Sequence, residues 1–149
     1  MRLLIQRVNS ASVTVNEATE AEIGEGLLVF VAAGEGDGRE DFDYCVDKTL
    51  NLRIFADEEG QMDLSVKDVG GEILVVPQFT LYGDVTKGRR PSFFEAMDPG
   101  PAERMYDEFV ETLEESGLRR VESGVFGAHM DVELVNDGPV TIWVDSSEG

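Results

Sequence analysis

The chain has 149 residues, 42% hydrophobic and 29% charged, a globular composition that excludes disordered and collagen-like classes. Twelve basic residues against 31 acidic ones give a net charge of −19, so the surface as a whole repels nucleic acid at long range. This length suits one domain, taken as residues 1–149; one cysteine excludes a disulfide framework, one histidine excludes any site needing two, and no apolar run approaches the ~20 residues of a membrane span.

Residues 1–8 and 12–16 read as strands; in the second, Val13 and Val15 alternate with Ser12, Thr14 and Asn16. The opening stretch meets Arg7 too soon for a signal core of at least about 7 apolar residues, so a cytoplasmic location is expected. Gly24 and Gly26 precede Leu27 to Ala33, a continuous apolar run that suits a strand buried on both faces. Gly34, Gly36 and Gly38 follow, but their spacing and the acids between them do not make a phosphate loop. Residues 38–51 read as a helix with Phe42, Cys45, Val46, Thr49 and Leu50 at helical spacing, which makes Cys45 a small core residue. A short strand is expected at Arg53–Phe55, a turn over Asp57–Gly60, and a second buried strand at Ile73–Val76. Residues 83–100 are loop-like. A helix over 101–116 carries Met105, Tyr106, Phe109, Val110 and Leu113, and Gly117 stands where a C-cap glycine would. Two further strands, 130–136 and 140–145, are joined across Asn136, Asp137, Gly138 and Pro139. Acids concentrate in residues 35–47 and 103–115, each net −5, and are read as solvated helix faces. This order predicts an α/β layered domain with a mixed sheet rather than a doubly wound parallel one.

Conventional catalytic motifs are absent. There is no nucleophile elbow, and a Ser-His-Asp triad would have to use His129, which reads as structural or solvent-facing. Three segments stand out. Pro77, Gln78, Phe79, Thr80, Leu81 and Tyr82 follow a buried strand, placing an amide, a hydroxyl and free backbone N–H groups where a sheet stops pairing. That suits an oxyanion hole, though an ordinary strand end reads the same way. Asn136 to Thr141 is a strong turn signal, and taken alone a tight turn. Lys87, Gly88, Arg89, Arg90, Pro91, Ser92 and Phe93 form the only dense basic run, suited to phosphate or RNA-backbone contact, with a solvated loop as the alternative.

Together these segments resemble the D-aminoacyl-tRNA deacylases over the whole chain. The likeness rests on Met1 to Val8, Ala11 to Val15, Leu50 to Arg53, Leu64 to Val66 and Asp68 to Gly71. It rests above all on Gln78-Phe79-Thr80-Leu81 and Asn136-Asp137-Gly138-Pro139-Val140-Thr141, with Lys87 to Phe93 and Gly124 to Ala128 in support. The resemblance implies a single three-layer α/β/β domain with mixed sheets that forms a homodimer with its active site at the interface. It implies a carboxylic ester hydrolase acting at the 3′ end of aminoacyl-tRNA, with no metal, no cofactor, no membrane and no DNA as partner. Gln78, Phe79 and Thr80 would be catalytic, through the N–H of Phe79 and the hydroxyl of Thr80. Gly138 and Pro139 of the partner copy, joined by a cis bond, would form a wall that rejects L-amino acids. Arg7 would support that wall, and Lys87, Arg89 and Arg90 would bind tRNA. Part of the catalysis would fall to the terminal ribose 2′-hydroxyl of the tRNA. Glycine has no side chain to meet the wall, so glycyl-tRNA should also be cleaved.

Pro77 stands where the family usually has Ser. Pro-Gln at this spot resembles a relaxed-chirality branch that tolerates L-alanyl-tRNA, whereas the retained Phe79 and Arg7 resemble the D-specific group. A non-catalytic tRNA-end-binding module is the reading from another class.

Overall fold

The computed structural model describes residues 1–149. Its strands in chain order are β1 (Arg2–Val15), β2 (Ala18–Ile23), β3 (Gly26–Ala32), β4 (Phe55–Ala56), β5 (Met62–Leu64), β6 (Glu72–Pro77), β7 (Arg120–Ser123) and β8 (Asp131–Asp145). The helices are α1 (Arg39–Asn51) and α2 (Pro99–Glu114), with a 3₁₀ turn at Phe79–Tyr82. The main sheet runs β2-β1-β3-β6-β7, with β8 on the other side of β1. β3, β6 and β7 are parallel, while β1 pairs antiparallel with β2, β3 and β8. The sheet is therefore mixed.

The continuous apolar runs of β3 and β6 are explained by burial on both faces. Leu27, Val29, Val31, Ile73 and Val75 point to the helices, where Phe42, Cys45, Phe109 and Leu113 cover them. Leu28, Leu74 and Val76 point the other way, onto Val8, Ala11, Val13, Ala21 and Ile23. Each such side chain contributes roughly 1.5–3 kcal/mol on burial, so a polar substitution on either face is costly. Along β1 the inward residues change layer: Leu3 and Ile5 face the helices, Val8, Ala11 and Val13 the opposite core. Two register breaks against β8, between Gln6 and Val8 and between Val8 and Ser10, accompany this change. The result is three layers: the helices; the parallel strands with the first half of β1 and the second half of β8; and a flap of β2 with the second half of β1 and the first half of β8.

α1 starts where its sequence signals it. Asp41 accepts from the Gly38 N–H at 2.9 Å, and this bond, with that from the Ser146 hydroxyl, holds its carboxyl below the usual range. Phe42, Cys45 and Thr49 form its buried stripe, and Phe42 meets Phe109 of α2 edge-on at 6.0 Å. Burial pushes the Cys45 thiol up to about 12, as suits an inert core residue. The Gly34–Gly38 loop holds no phosphate geometry; it wraps the Met1 ammonium, which pairs with Asp37 at 2.7 Å.

Three strand readings are corrected. Residues 1–8 and 12–16 belong to one strand, because β8 pairs along nearly all of β1 and carries it through its irregular middle. The expected strand at Arg53–Phe55 lies at Phe55–Ala56, where it pairs with β5. Residues 130–136 and 140–145 are likewise one strand, β8. Asn136 to Pro139 does not reverse the chain: residues 137–140 stand opposite Arg7 alone, as a bulge within continuous pairing.

Candidate active site

β6 ends at Pro77, which lacks an N–H, and the ladder passes to Gln78, whose N–H donates to Val31 O at 2.8 Å. The chain then tightens into the 3₁₀ turn. Phe79 and Thr80 open this turn, where backbone N–H groups have no partner inside it. Gln78 Nε2 donates to Thr80 Oγ1 at 2.5 Å, fixing the hydroxyl at the surface. The far end of the turn is held hard. Arg2 Nη1 donates to Leu81 O at 2.9 Å, its Nε pairs with Asp145 at 2.9 Å, and its guanidinium lies 4.3 Å from the centre of the Tyr82 ring. Burial raises the Tyr82 hydroxyl well above its ordinary value, so it stays neutral.

A cavity of about 420 Å3 opens beside this turn. Pro77, Gln78 and Phe79 form one wall; Ala102, Met105 and Tyr106 of α2 form another, with Phe93 and Phe126 between them. Phe79 is 58% exposed and meets Phe93 at 5.1 Å between ring centres. The Tyr106 hydroxyl donates to Gly124 O at 2.7 Å, anchoring the segment that carries Phe126. The arrangement is an apolar pocket with Gln78 and Phe79 in its wall, as small-ligand sites commonly are, and the Thr80 hydroxyl is tied to it through the Gln78 amide.

The bulge on β8 is a separate structure. Val140 N donates to Asn136 Oδ1 at 2.8 Å, and Asn136 Nδ2 donates to Thr141 Oγ1 at 3.1 Å, so one side chain closes the bulge's neck. Arg7 Nε donates to Asp137 O at 3.2 Å and its Nη1 to Ile54 O at 2.6 Å. Gly138 and Pro139 are exposed and joined by a cis peptide. Gly138 has φ +139°, and a Cβ there would lie 2.9 Å from Val140 N and 3.3 Å from Arg7 Nη2.

The structure thus brings Gln78, Phe79 and Thr80 together, and separately Arg7, Gly138 and Pro139. Within one chain it does not bring the two groups into one pocket. Arg7 and Asp137 line a second, polar cavity, bounded also by Glu72 and Arg119. Lys87, Arg89 and Arg90 lie exposed on a loop closed by the backbone pair Asp84–Ser92. His129 is solvent-facing, with a side chain 96% exposed. The pocket residues Ala102 and Met105 went unmarked as site residues in the sequence, since a helix stripe does not reveal which of its members border a gap.

The chain matches a family model described as D-Tyr-tRNA(Tyr) deacylase over residues 4–145. The chain belongs to this family. A relative from Thermotoga petrophila called D-aminoacyl-tRNA deacylase is 57% identical over 148 residues, covering 99% of both chains. One of the same description from Thermomicrobium roseum is also 57% identical, over 99% of this chain and 96% of its own. Among solved structures, one titled c-Myc DNA Unwinding Element Binding Protein superposes with a TM-score of 0.92 at 41% identity, covering 97% of this chain and 98% of that one. A probable eukaryotic D-amino acid tRNA deacylase gives 0.81 at 21% identity, covering 96% and 97%, and shares the fold.

Proposed function

We propose that this chain hydrolyses the ester bond joining a D-amino acid to the 3′ end of tRNA, releasing free D-amino acid and tRNA, as a cytoplasmic homodimer. The observation that carries the reading is the turn at Gln78–Thr80 beside the pocket, with its positioned hydroxyl and open backbone donors, in a chain of the deacylase family. Water adds to the ester carbonyl, and the oxyanion that forms is met by the Phe79 N–H and the Thr80 hydroxyl. A donor so placed is worth about 2.7–4 kcal/mol of barrier. The intermediate collapses by expelling the ribose oxygen, with the neighbouring 2′-hydroxyl of the substrate assisting proton transfer.

Selection against L substrates is assigned to Gly138 and Pro139 of a second copy. Two facts support a second copy. The bulge and the pocket lie apart within one chain, and the bulge presents an exposed glycine and proline with its neck already hydrogen-bonded. A rigid wall of this kind excludes one placement of the Cα substituent and leaves glycine unhindered, so glycyl-tRNA is also cleaved. Lys87, Arg89 and Arg90 supply phosphate contacts.

Pro77 favours a second reading, a relaxed-chirality deacylase acting on glycyl- or L-alanyl-tRNA. Deacylation of D-Tyr-, L-Tyr-, Gly- and L-Ala-tRNA, measured side by side, separates them. Rapid loss of D-Tyr and Gly with L-Tyr and L-Ala intact supports the D-specific assignment. Loss of L-Ala at a comparable rate overturns it in favour of the second, and no loss of any leaves a tRNA-end-binding module.

A further inference from the structure

Phe94 is the most exposed large apolar side chain of the molecule, at 87%. Its position in the fold makes that exposure informative. The residue before it, Phe93, turns inward, lining the cavity and packing on Phe79. The residues Ala96 and Met97 just after it line the same cavity. Phe94 therefore stands on the cavity rim, about 3.8 Å in Cα distance from a wall residue. The segment is not a loose tail. Ala96 N donates to Phe93 O at 3.1 Å, Glu35 N to Glu95 O at 2.8 Å, and Met97 N to Ala33 O at 3.0 Å, so its backbone is pinned on both sides of the ring.

The same loop carries Lys87, Arg89 and Arg90, and none of the three takes part in the ion pairs of this chain. The Asp84 carboxylate at the loop's base accepts from the Thr86 N–H at 2.9 Å, a bond that holds it below the usual carboxylate range and occupied within the turn. In a chain of net charge −19, unpaired cations four and five residues before an uncovered aromatic ring complement a ligand that has both phosphates and flat faces. An unpaired nucleotide strand is such a ligand, because every base offers a π-face and every link a phosphate.

We propose that Phe94 is a stacking platform for an unpaired base of the tRNA 3′ end upstream of the terminal nucleoside, with Arg89 and Arg90 on the adjoining phosphates. This rests on the deacylase reading above, and deepens it by assigning a place to nucleotides outside the pocket. Phe93 belongs to the pocket and Phe94 to the strand that leaves it.

The test compares two substrates and two variants. Full-length D-tyrosyl-tRNA carries the upstream nucleotides, whereas D-tyrosyl-adenosine ends at the terminal nucleoside. Phe94→Ala should raise KM for the tRNA roughly 5- to 150-fold, the range of one lost stacking contact, with kcat unchanged. Its kcat/KM on D-tyrosyl-adenosine should equal that of the unaltered protein, and Phe94→Trp should restore the KM for tRNA. An unchanged KM for tRNA overturns the proposal, as does an equal loss on both substrates, which would make Phe94 part of the pocket. Binding of an uncharged RNA hairpin, with and without its unpaired 3′ tail, gives a readout that needs no catalysis. Phe94→Ala should weaken binding of the tailed hairpin only. If the unaltered protein hydrolyses neither ester, the deacylase reading fails while this comparison still decides the role of Phe94; equal binding of the tailed hairpin by both proteins overturns it.

Discussion

The turn at Phe79–Tyr82 and the bulge at residues 137–140 both interrupt regular strand pairing, yet they spend their polar groups in opposite ways. The turn is fastened at its far end, where Arg2 holds the Leu81 carbonyl and stacks on Tyr82, and is left open at its near end. There Gln78 aims the Thr80 hydroxyl and the first N–H groups have no partner in the turn. The bulge is fastened throughout. Asn136 closes its neck, Arg7 takes the Asp137 carbonyl, and what remains outside is a glycine and a proline ring. The difference teaches a division of labour: an open turn can stabilise developing charge, and a saturated bulge can only exclude. One strand joins them, since Arg2 and Arg7 both stand on β1.

If the turn does the chemistry, its hydroxyl should matter most. Thr80→Val keeps the shape and removes the donor, and should lower kcat on D-Tyr-tRNA by about 10²–10³ in single-turnover measurements. Because Thr80 is exposed, the urea midpoint should stay where it was. A fall below tenfold would mean that the backbone N–H groups act without it.

If the bulge only excludes, loosening its hold should change selectivity before rate. Arg7→Ala removes charge-assisted bonds to Asp137 O and Ile54 O, costing about 1.5–3 kcal/mol of stability by denaturant titration. The ratio of D- to L-Tyr-tRNA hydrolysis should drop at least about tenfold, mainly through faster cleavage of the L substrate. Equal losses on both enantiomers would place Arg7 in catalysis instead.

The cationic loop should show the smallest effect, and one that depends on salt. Changing Arg89 and Arg90 to Glu removes two phosphate contacts. The log–log slope of tRNA affinity against salt should become shallower by about 0.9 per contact on duplex and about 0.7 on single strand. An unchanged slope retires the loop as a phosphate contact.

How far the sequence discloses this molecule depends on how local each determinant is. The helices and the strands β3 and β6 declare themselves, because 3.6-residue spacing and unbroken apolar runs are written into consecutive residues. β2 stays hidden, since Thr19, Glu20 and Glu22 mask the two buried positions Ala21 and Ile23, and Asn16 and Glu17 turn the chain at positive φ without a glycine. The bulge misleads for the converse reason: Asn136 to Pro139 is locally a turn, and only pairing with β1, remote in sequence, keeps β8 one strand through it. The site divides in the same way. Gln78 to Thr80 can be seen as a strand end rich in donors, but the walls at Ala102 and Phe126 come from distant segments that meet only when folded.

The central claim is that each pocket joins the turn of one copy to the bulge of another, and mixing inactive variants tests it most directly. Thr80→Val disables the turn. Gly138→Ala adds a methyl group to the wall itself, which obstructs the pocket it faces for D and L substrates alike, and its Cβ would meet Val140 and Arg7 at a φ of +139°. Each variant alone should be nearly inactive on D-Tyr-tRNA. Unfolded together in equal amounts and refolded, half of the dimers should be mixed, each with one pocket built from two unaltered segments, so activity should return to about a quarter of the unaltered protein's. A mixture no more active than its two components would contradict the shared pocket.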